Sequence, residues 1–382
     1  MQDPAYVLGH SDREVSRLRN QARFLEPITR GFLEAAGLAQ GMTVLDVGSG
    51  AGDVAFLAAE LVGPTGTIIG VDKVASAVEA AAGVAVIAFS AHLYSLLFLD
   101  RILRIGARDA SLVVAAAILL GTPFYVAFGG LSDRIGRKPL VLGGCLLAVL
   151  TFFPLFHGLT HYANPALQKA MAAAPVTVIA PPGECSFQFD PIGNSSFTNS
   201  CDVAKSALTQ AGVPYRNEAA PPGSVAWVRI GAGDAATTLE SVRENDLPQG
   251  AFKSAVDEFG RKLRQRLTEA GYPATHAPAK TNHIMLIVLC TCLISILAMT
   301  YGPLGAWLVE LFPPRIRYTS LSLPYHLANG WFGAFLPAIA FASFAASGNM
   351  YSGLWYPVFI AFLAFLLGAL FVPETRPRRH ER

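Results

Sequence analysis

"VDKVASAVEAAAGVAVIAFSAHLYSLLFL" occupies residues 71–99, and its reading decides the fold. Its first residue closes an apolar run, 66–71, of the kind that forms a buried strand. From 80 to 99 it then carries no Asp, Glu, Lys or Arg, and about twenty such residues are what a helix needs to cross a bilayer. A strand-bearing unit therefore passes into a membrane span with almost no linker.

Composition agrees with that split. Hydrophobic residues make up 52% of the 382 and charged residues only 15%, against about a quarter charged in a soluble domain. Residues before 84 and residues 158–280 read as water-soluble, and the rest as membrane. The net charge of +2 is too small to argue for a nucleic-acid partner, and no basic run interleaved with aromatics supports one. The first twenty residues, MQDPAYVLGHSDREVSRLRN, lack a charged-then-apolar leader, so the N-terminus is expected to stay in the cytoplasm. The five cysteines are too few for a disulfide scaffold. Cys145, Cys290 and Cys292 lie in apolar stretches and read as packing residues.

Helix-like spacing runs through 11–24 and 26–36. Then "MTVLDVGSGAGDVAFLAAELV", 42–62, reads as strand, glycine-rich turn and apolar helix. Gly48, Gly50 and Gly52 let the backbone turn tightly and approach a ligand where a Cβ would clash. A second strand ends at Asp72, where an acid typically hydrogen-bonds ribose hydroxyls. In these residues the stretch resembles the class I S-adenosylmethionine-dependent methyltransferases, whose first motif is matched by Asp46, Gly48, Gly50 and Gly52, with Asp72 as the ribose acid. The resemblance implies that these five residues bind S-adenosylmethionine; a bare glycine turn without ligand is the alternative. Only two strands of that family's sheet are recognisable, and two strands with three helices bury little surface. Residues 1–80 are therefore expected to be a small α/β Rossmann-like fragment with no assigned catalytic residue, in a chain that is not an enzyme.

Six apolar stretches follow, at 80–99, 110–128, 140–156, 283–309, 321–344 and 353–372. A hydrated insert, 158–281, separates the third from the fourth. The short loops "SDRIGRKP" (132–139) and "PPRIRYT" (313–319) and the tail "ETRPRRHER" (374–382) are net basic and alternate so as to share one side, which the charge bias makes cytoplasmic. "DRILRIGARD" (100–109) is mildly basic and falls on the opposite side, against that bias. Both termini are thus expected inside and the insert outside.

The strongest motif is "GGLSDRIGRKP", 129–139. It resembles the major facilitator signature G-x-x-x-D-R-x-G-R-K at every fixed position. The resemblance implies a conformational latch at the cytoplasmic mouth, in which Gly129 and Gly136 allow close helix approach and Asp133, Arg134, Arg137 and Lys138 supply charge. Glu310, followed by Arg315 and Arg317, is the carboxylate expected to complete that inner gate. "LVELFPPRIRYTSLSLPYHLANGWFGAFLP" (308–337), "LTHYANPAL" (159–167) and, in the insert, "CDVAKSALTQAGVPY" (201–215) are similar to the metabolite:proton symporter branch, which includes permeases for 2-oxoglutarate, proline/betaine and shikimate. "PETR" (373–376) echoes the end-of-bundle motif of the superfamily. The resemblance covers the C-terminal six of twelve helices, and the methyltransferase-like beginning stands where the first six would be.

Among single residues, Tyr325, His326 and Asn329 sit on a Pro/Gly-rich span and are candidates for a substrate pathway; hydrogen bonding between helices is the equal alternative. His92, within the first span, is a weaker candidate for proton relay. His157 and His161 have i,i+4 spacing without a third ligand, so interfacial anchoring is preferred to a metal site. Cys185 and Cys201, on the oxidising side, are expected to form a disulfide. Gly231 and Gly233 read as a turn.

The expectation is a mainly α, polytopic helix bundle of six spans, half of a major facilitator fold, with the α/β fragment before it and a soluble extracytoplasmic insert within it. The domains are 1–80, spans at 81–157, insert at 158–281, spans at 282–372 and a basic tail at 373–382. The function expected is proton-coupled uptake of a small organic acid or zwitterion across a bacterial inner membrane. Its partners are that substrate, the proton, the bilayer and a complementary N-terminal half. No metal or cofactor is required for transport. A membrane-tethered methyltransferase and a non-functional fusion of two truncated genes are the alternatives.

Overall fold

The computed structural model describes residues 26–47, 53–71, 74–190, 197–233, 236–273, 281–311, 322, 324–372 and 374. The chain forms two compact units, residues 1–77 and 78–382.

In the first unit, strands β1 (Thr43–Val47) and β2 (Thr67–Val71) pair in parallel, with Thr43 opposite Thr67 and Asp46 opposite Gly70. Parallel strands need a crossover, and helix Asp53–Val62 supplies it, burying Leu57, Ala58 and Val62. Arg30, on a helix over 26–35, reaches Glu60 of that crossover at 2.6 Å. Ile28, Phe32 and Phe56 stay exposed. Among the described residues the unit's sheet has two strands.

The second unit holds six helices long and apolar enough to cross a membrane: Ala80–Ile102, Ala107–Ile135, Arg137–Ala163, His283–Glu310, Pro324–Ser347 and Ser352–Phe371. The third is longer than its apolar run. Arg137, Lys138 and Pro139, which read as loop, form its first turn, and the helix continues through Ala163. That helix thus runs past 158, and its C-cap is Asn164. The fourth span packs against the second and third, and the sixth against the third. Tyr94 and Phe98 of the first span meet Phe156 of the third at ring distances of 5.6 and 5.0 Å. Lipid offers helices no hydrophobic reason to associate, so close backbone approach carries much of the packing. At Gly302 a Cβ would stand 3.2 Å from the Tyr125 carbonyl and 3.4 Å from the Gly129 nitrogen.

The insert is an α/β layer. Its sheet runs β4 (Tyr215–Ala219), β3 (Val176–Ala180), β5 (Trp227–Ile230), β6 (Thr237–Glu240). β3 and β4 are parallel and joined through helix Ser200–Gln210; β5 is antiparallel to both β3 and β6. Helix Phe252–Glu269 follows, burying Phe259, Leu263 and Leu267. Cys185 and Cys201 form a disulfide from the segment after β3 to the first turn of Ser200–Gln210. That helix is capped by Asn199, whose side chain accepts from the Asp202 nitrogen at 2.7 Å. Gly231 and Gly233 both have positive φ, as a turn requires.

The insert docks on one end of the bundle by satisfying a helix end. The last carbonyls of a helix have no partner within it. Here Tyr215 Oη donates to the Ala345 carbonyl, and Asn217 Nδ2 donates to those of Ala346 and Ser347 at 3.2 and 3.1 Å. The Tyr215 nitrogen donates to Gly348 at 2.9 Å. On the far side, Asn164 Nδ2 donates to the Leu103 carbonyl at 3.0 Å.

Candidate functional site

At the opposite end of the bundle the second span stops at Ile135 and the third starts at Arg137. Only Gly136 lies between, at φ 108, a backbone that side-chain-bearing residues rarely adopt. This tight reversal sets the Arg137 side chain, only 8% exposed, between two carboxylates. Its Nη2 lies 2.9 Å from Asp133 Oδ1 and 3.2 Å from Glu310 Oε1, and Nη1 donates to the Ser132 carbonyl at 3.1 Å. Ser132 Oγ in turn donates to the Gly129 carbonyl at 2.6 Å. The second, third and fourth spans are tied through one guanidinium.

A third carboxylate was not anticipated from sequence. Glu374, in the "PETR" stretch beyond the last span, accepts from the Arg137 nitrogen at 3.0 Å and the Lys138 nitrogen at 3.1 Å. These are orphan donors of a helix N-terminus, where negative charge is favoured. Lys138 Nζ returns to the Ala369 carbonyl at 2.9 Å, near the C-terminus of the sixth span. A Cβ on Gly136 would run into the Glu374 carboxylate. The signal available in sequence was a carboxylate just past the last apolar run, on the side of the basic loop.

A Cβ on Gly129 would meet nothing within 4 Å, although a Cβ on Gly302 of the fourth span would stand 3.4 Å from the Gly129 nitrogen; the atoms nearest a Cβ on Gly136 are those of the Glu374 carboxylate. Arg134 is exposed and, among the described residues, has no ion-pair partner, because its position on the helix turns it away from the cluster that Arg137 enters. Arg315 and Arg317 lie outside the described residues.

Tyr325 Oη lies 2.7 Å from Tyr301 Oη of the fourth span, and the Tyr301 ring meets Tyr125 of the second span edge-on at 6.5 Å. Sequence reasoning passed over Tyr301 and Tyr125, which sit in uninterrupted apolar runs. Asn329 Nδ2 donates to the Tyr325 carbonyl at 2.8 Å, so its amide is satisfied within its own helix. His326 is exposed and stands edge-on to Tyr325. A π-helical turn, Ala328–Gly333, follows, a feature that often marks functional sites. His157 stacks on Tyr351 at 3.9 Å, and His161 faces Gln168. Among the described residues no group of three or more His, Cys, Asp or Glu gathers as a metal site.

Of the residues expected to hold S-adenosylmethionine, Asp46 is in β1. Gly48, Gly50, Gly52 and Asp72 lie outside the described residues.

Comparison with known proteins gives separate matches for the two ends of the chain. The methyltransferase domain family matches residues 38–90, and the sugar (and other) transporter family matches residues 267–382. The inner membrane metabolite transport protein YhjE of Escherichia coli is 37% identical over 59 residues, 15% of this chain and 13% of that protein. Nocamycin O-methyltransferase of Saccharothrix syringae is 44% identical over 59 residues, 15% of this chain and 21% of that protein. The matches thus span no more than about a fifth of these relatives' lengths. No solved structure matches the chain significantly.

Proposed function

We propose that the chain is a membrane transporter of the major facilitator type, taking up a small organic acid or zwitterion together with protons. The observation that carries this reading is the clasp of Arg137 with Asp133 and Glu310, backed by Glu374, at one end of six apolar helices. Such a cluster resists opening of the mouth it closes and yields when helix ends separate, which is what alternating access demands. The transporter-family match and the metabolite transport relative support the same reading. The clasp end is cytoplasmic and the insert faces outward across a bacterial inner membrane, with Cys185–Cys201 on the oxidising side. Tyr325, with Tyr301 and Tyr125, and His326 and Asn329 beside it, borders the substrate path. Six helices make one half of the rocking pair, so the active unit includes a complementary half.

Proteoliposomes test this. The full chain, alone and co-reconstituted with a donor N-terminal half, is given radiolabelled 2-oxoglutarate, shikimate or proline betaine under an inward proton gradient. Accumulation that collapses with a protonophore is expected in the paired sample. Absence of accumulation in both samples, with all three substrates, rules the transport reading out and favours a non-functional fusion.

The methyltransferase-family match favours a second reading, a membrane-tethered enzyme. We place it second because the described sheet of the first unit has two strands, too few to wall an adenine and seat a substrate. Calorimetry on the full chain is expected to detect no saturable S-adenosylmethionine binding at micromolar concentration. Micromolar binding abolished by Asp72→Ala would reverse the order of the two readings.

A further inference from the structure

The loop between the first and second spans is basic on the side where membrane proteins place few basic residues, and the structure gives those charges a setting. Among the described residues Arg104 is the one non-glycine residue with positive φ, at 57. It ends the first span in the left-handed position that glycine usually fills. The Leu103 nitrogen donates to Phe98 at 2.8 Å and the Ile105 nitrogen to Leu99 at 3.2 Å, closing the helix around it. A bulky residue held there is strained, and strain of this kind persists at functional sites.

Arg104 also faces a like charge. With Arg264 of helix Phe252–Glu269 it lines a cavity of about 30 Å³ and, adjoining it, an open cleft of about 1140 Å³. Burial and the Arg264 charge hold the Arg104 guanidinium below its ordinary value, with Asp100 opposing them. Asp100 itself pairs with Arg101 at 3.3 Å. Among the described residues neither Arg104 nor Arg264 has an ion-pair partner. Arg101 and Lys253 add positive charge to the cleft against Asp190 and Asp257, and Leu97, Pro337 and Phe341 add apolar lining. Its walls are the first and fifth spans on one side and the insert helices Ser200–Gln210 and Phe252–Glu269 on the other. Two guanidiniums lining one cleft together with apolar side chains match a carboxylate on a short hydrocarbon.

We propose that this cleft is a receiving vestibule in which Arg104 and Arg264 bind the carboxylate of a small organic anion between the insert and the bundle. Its place on an uptake path rests on the transport reading; anion binding by the cleft does not. The insert then does more than cover the bundle end, since it supplies one of the two arginines.

The test uses the full chain in nanodiscs of neutral phosphatidylcholine at low chloride, titrated with succinate by calorimetry. Saturable binding is expected. Arg264→Gln and Arg104→Gly should each weaken it tenfold or more, and Arg104→Lys should weaken it less. Arg104→Gly relieves the strained backbone, so its thermal unfolding should be no earlier than wild type, which separates lost affinity from lost fold. Nanodiscs containing phosphatidylglycerol show whether an anionic headgroup is the real occupant: succinate binding that persists there supports the proposal. Its abolition there, the absence of succinate binding in neutral discs, or wild-type binding by both Arg104→Gly and Arg264→Gln would overturn it. Uptake failing while succinate still binds would refute the transport reading and leave the cleft assignment standing.

Discussion

Arg137 serves two carboxylates that differ in exposure, and exposure decides which matters. Asp133 is 68% exposed and Glu310 26%. An ion pair reaching well into solvent contributes about 0–1 kcal/mol, whereas removing the partner of a buried charge costs several. Glu310→Gln should therefore destabilise the purified chain by about 2–3 kcal/mol and Asp133→Asn by less than about 1. Thermal unfolding in detergent checks the ranking, and equal losses would show that burial of the guanidinium is not what sets the cost. Asp133, Arg137 and Glu310 were legible because a fixed motif and a nearby span end place them at one mouth. Glu374 was not, since only the tertiary fold shows that the last span returns beside the start of the third. The left-handed backbone of Arg104 has no signature in a basic loop.

At the scale of elements, apolar run length located all six spans, while their ends were blurred by polar first turns such as Arg137–Lys138. The insert's sheet was largely invisible. In β4, Tyr-Arg-Asn-Glu-Ala, only Tyr215 is buried, so no alternation marks a strand. β3 does alternate, with Val176, Val178 and Ala180 buried, and elsewhere in the insert single side chains act as anchors. Tyr272, just past helix Phe252–Glu269, is 4% exposed and donates to the Ala174 carbonyl at 2.8 Å. Burial pushes its phenol up to about 12, from about 10 in an unfolded chain. A group whose folded value is raised gives stability that is complete below the unfolded value and lost as pH rises through the folded one. The insert should therefore lose about 2–3 kcal/mol between pH 10 and about 12. Tyr272→Phe should remove most of that alkaline loss at a neutral-pH cost of about 1 kcal/mol, the worth of one hydrogen bond. Following unfolding by circular dichroism across this pH range checks it; an unchanged alkaline slope in the variant would assign the loss elsewhere.

On the scale of the whole molecule, the two ends of the bundle are held by different physics. One end is bound by backbone carbonyls accepting from the insert, the other by charges meeting at a single guanidinium. Carbonyl caps are local to each helix end and survive small rotations. A shared ion cluster depends on four helix ends staying together. If a complementary half completes a rocking pair, loss of the clasp should favour the state in which that mouth is open. A loss of about 1.4 kcal/mol changes a two-state ratio tenfold. In the full chain co-reconstituted with a donor half, a cysteine placed at Ser132 should react faster with a water-soluble thiol reagent when Glu310→Gln is present. Asp133→Asn should accelerate it less. Because both carboxylates act through Arg137, the double variant should fall short of the sum, as residues sharing a partner do. Strict additivity, or unchanged reactivity in both single variants, would reduce the basic loop to a signal for topology.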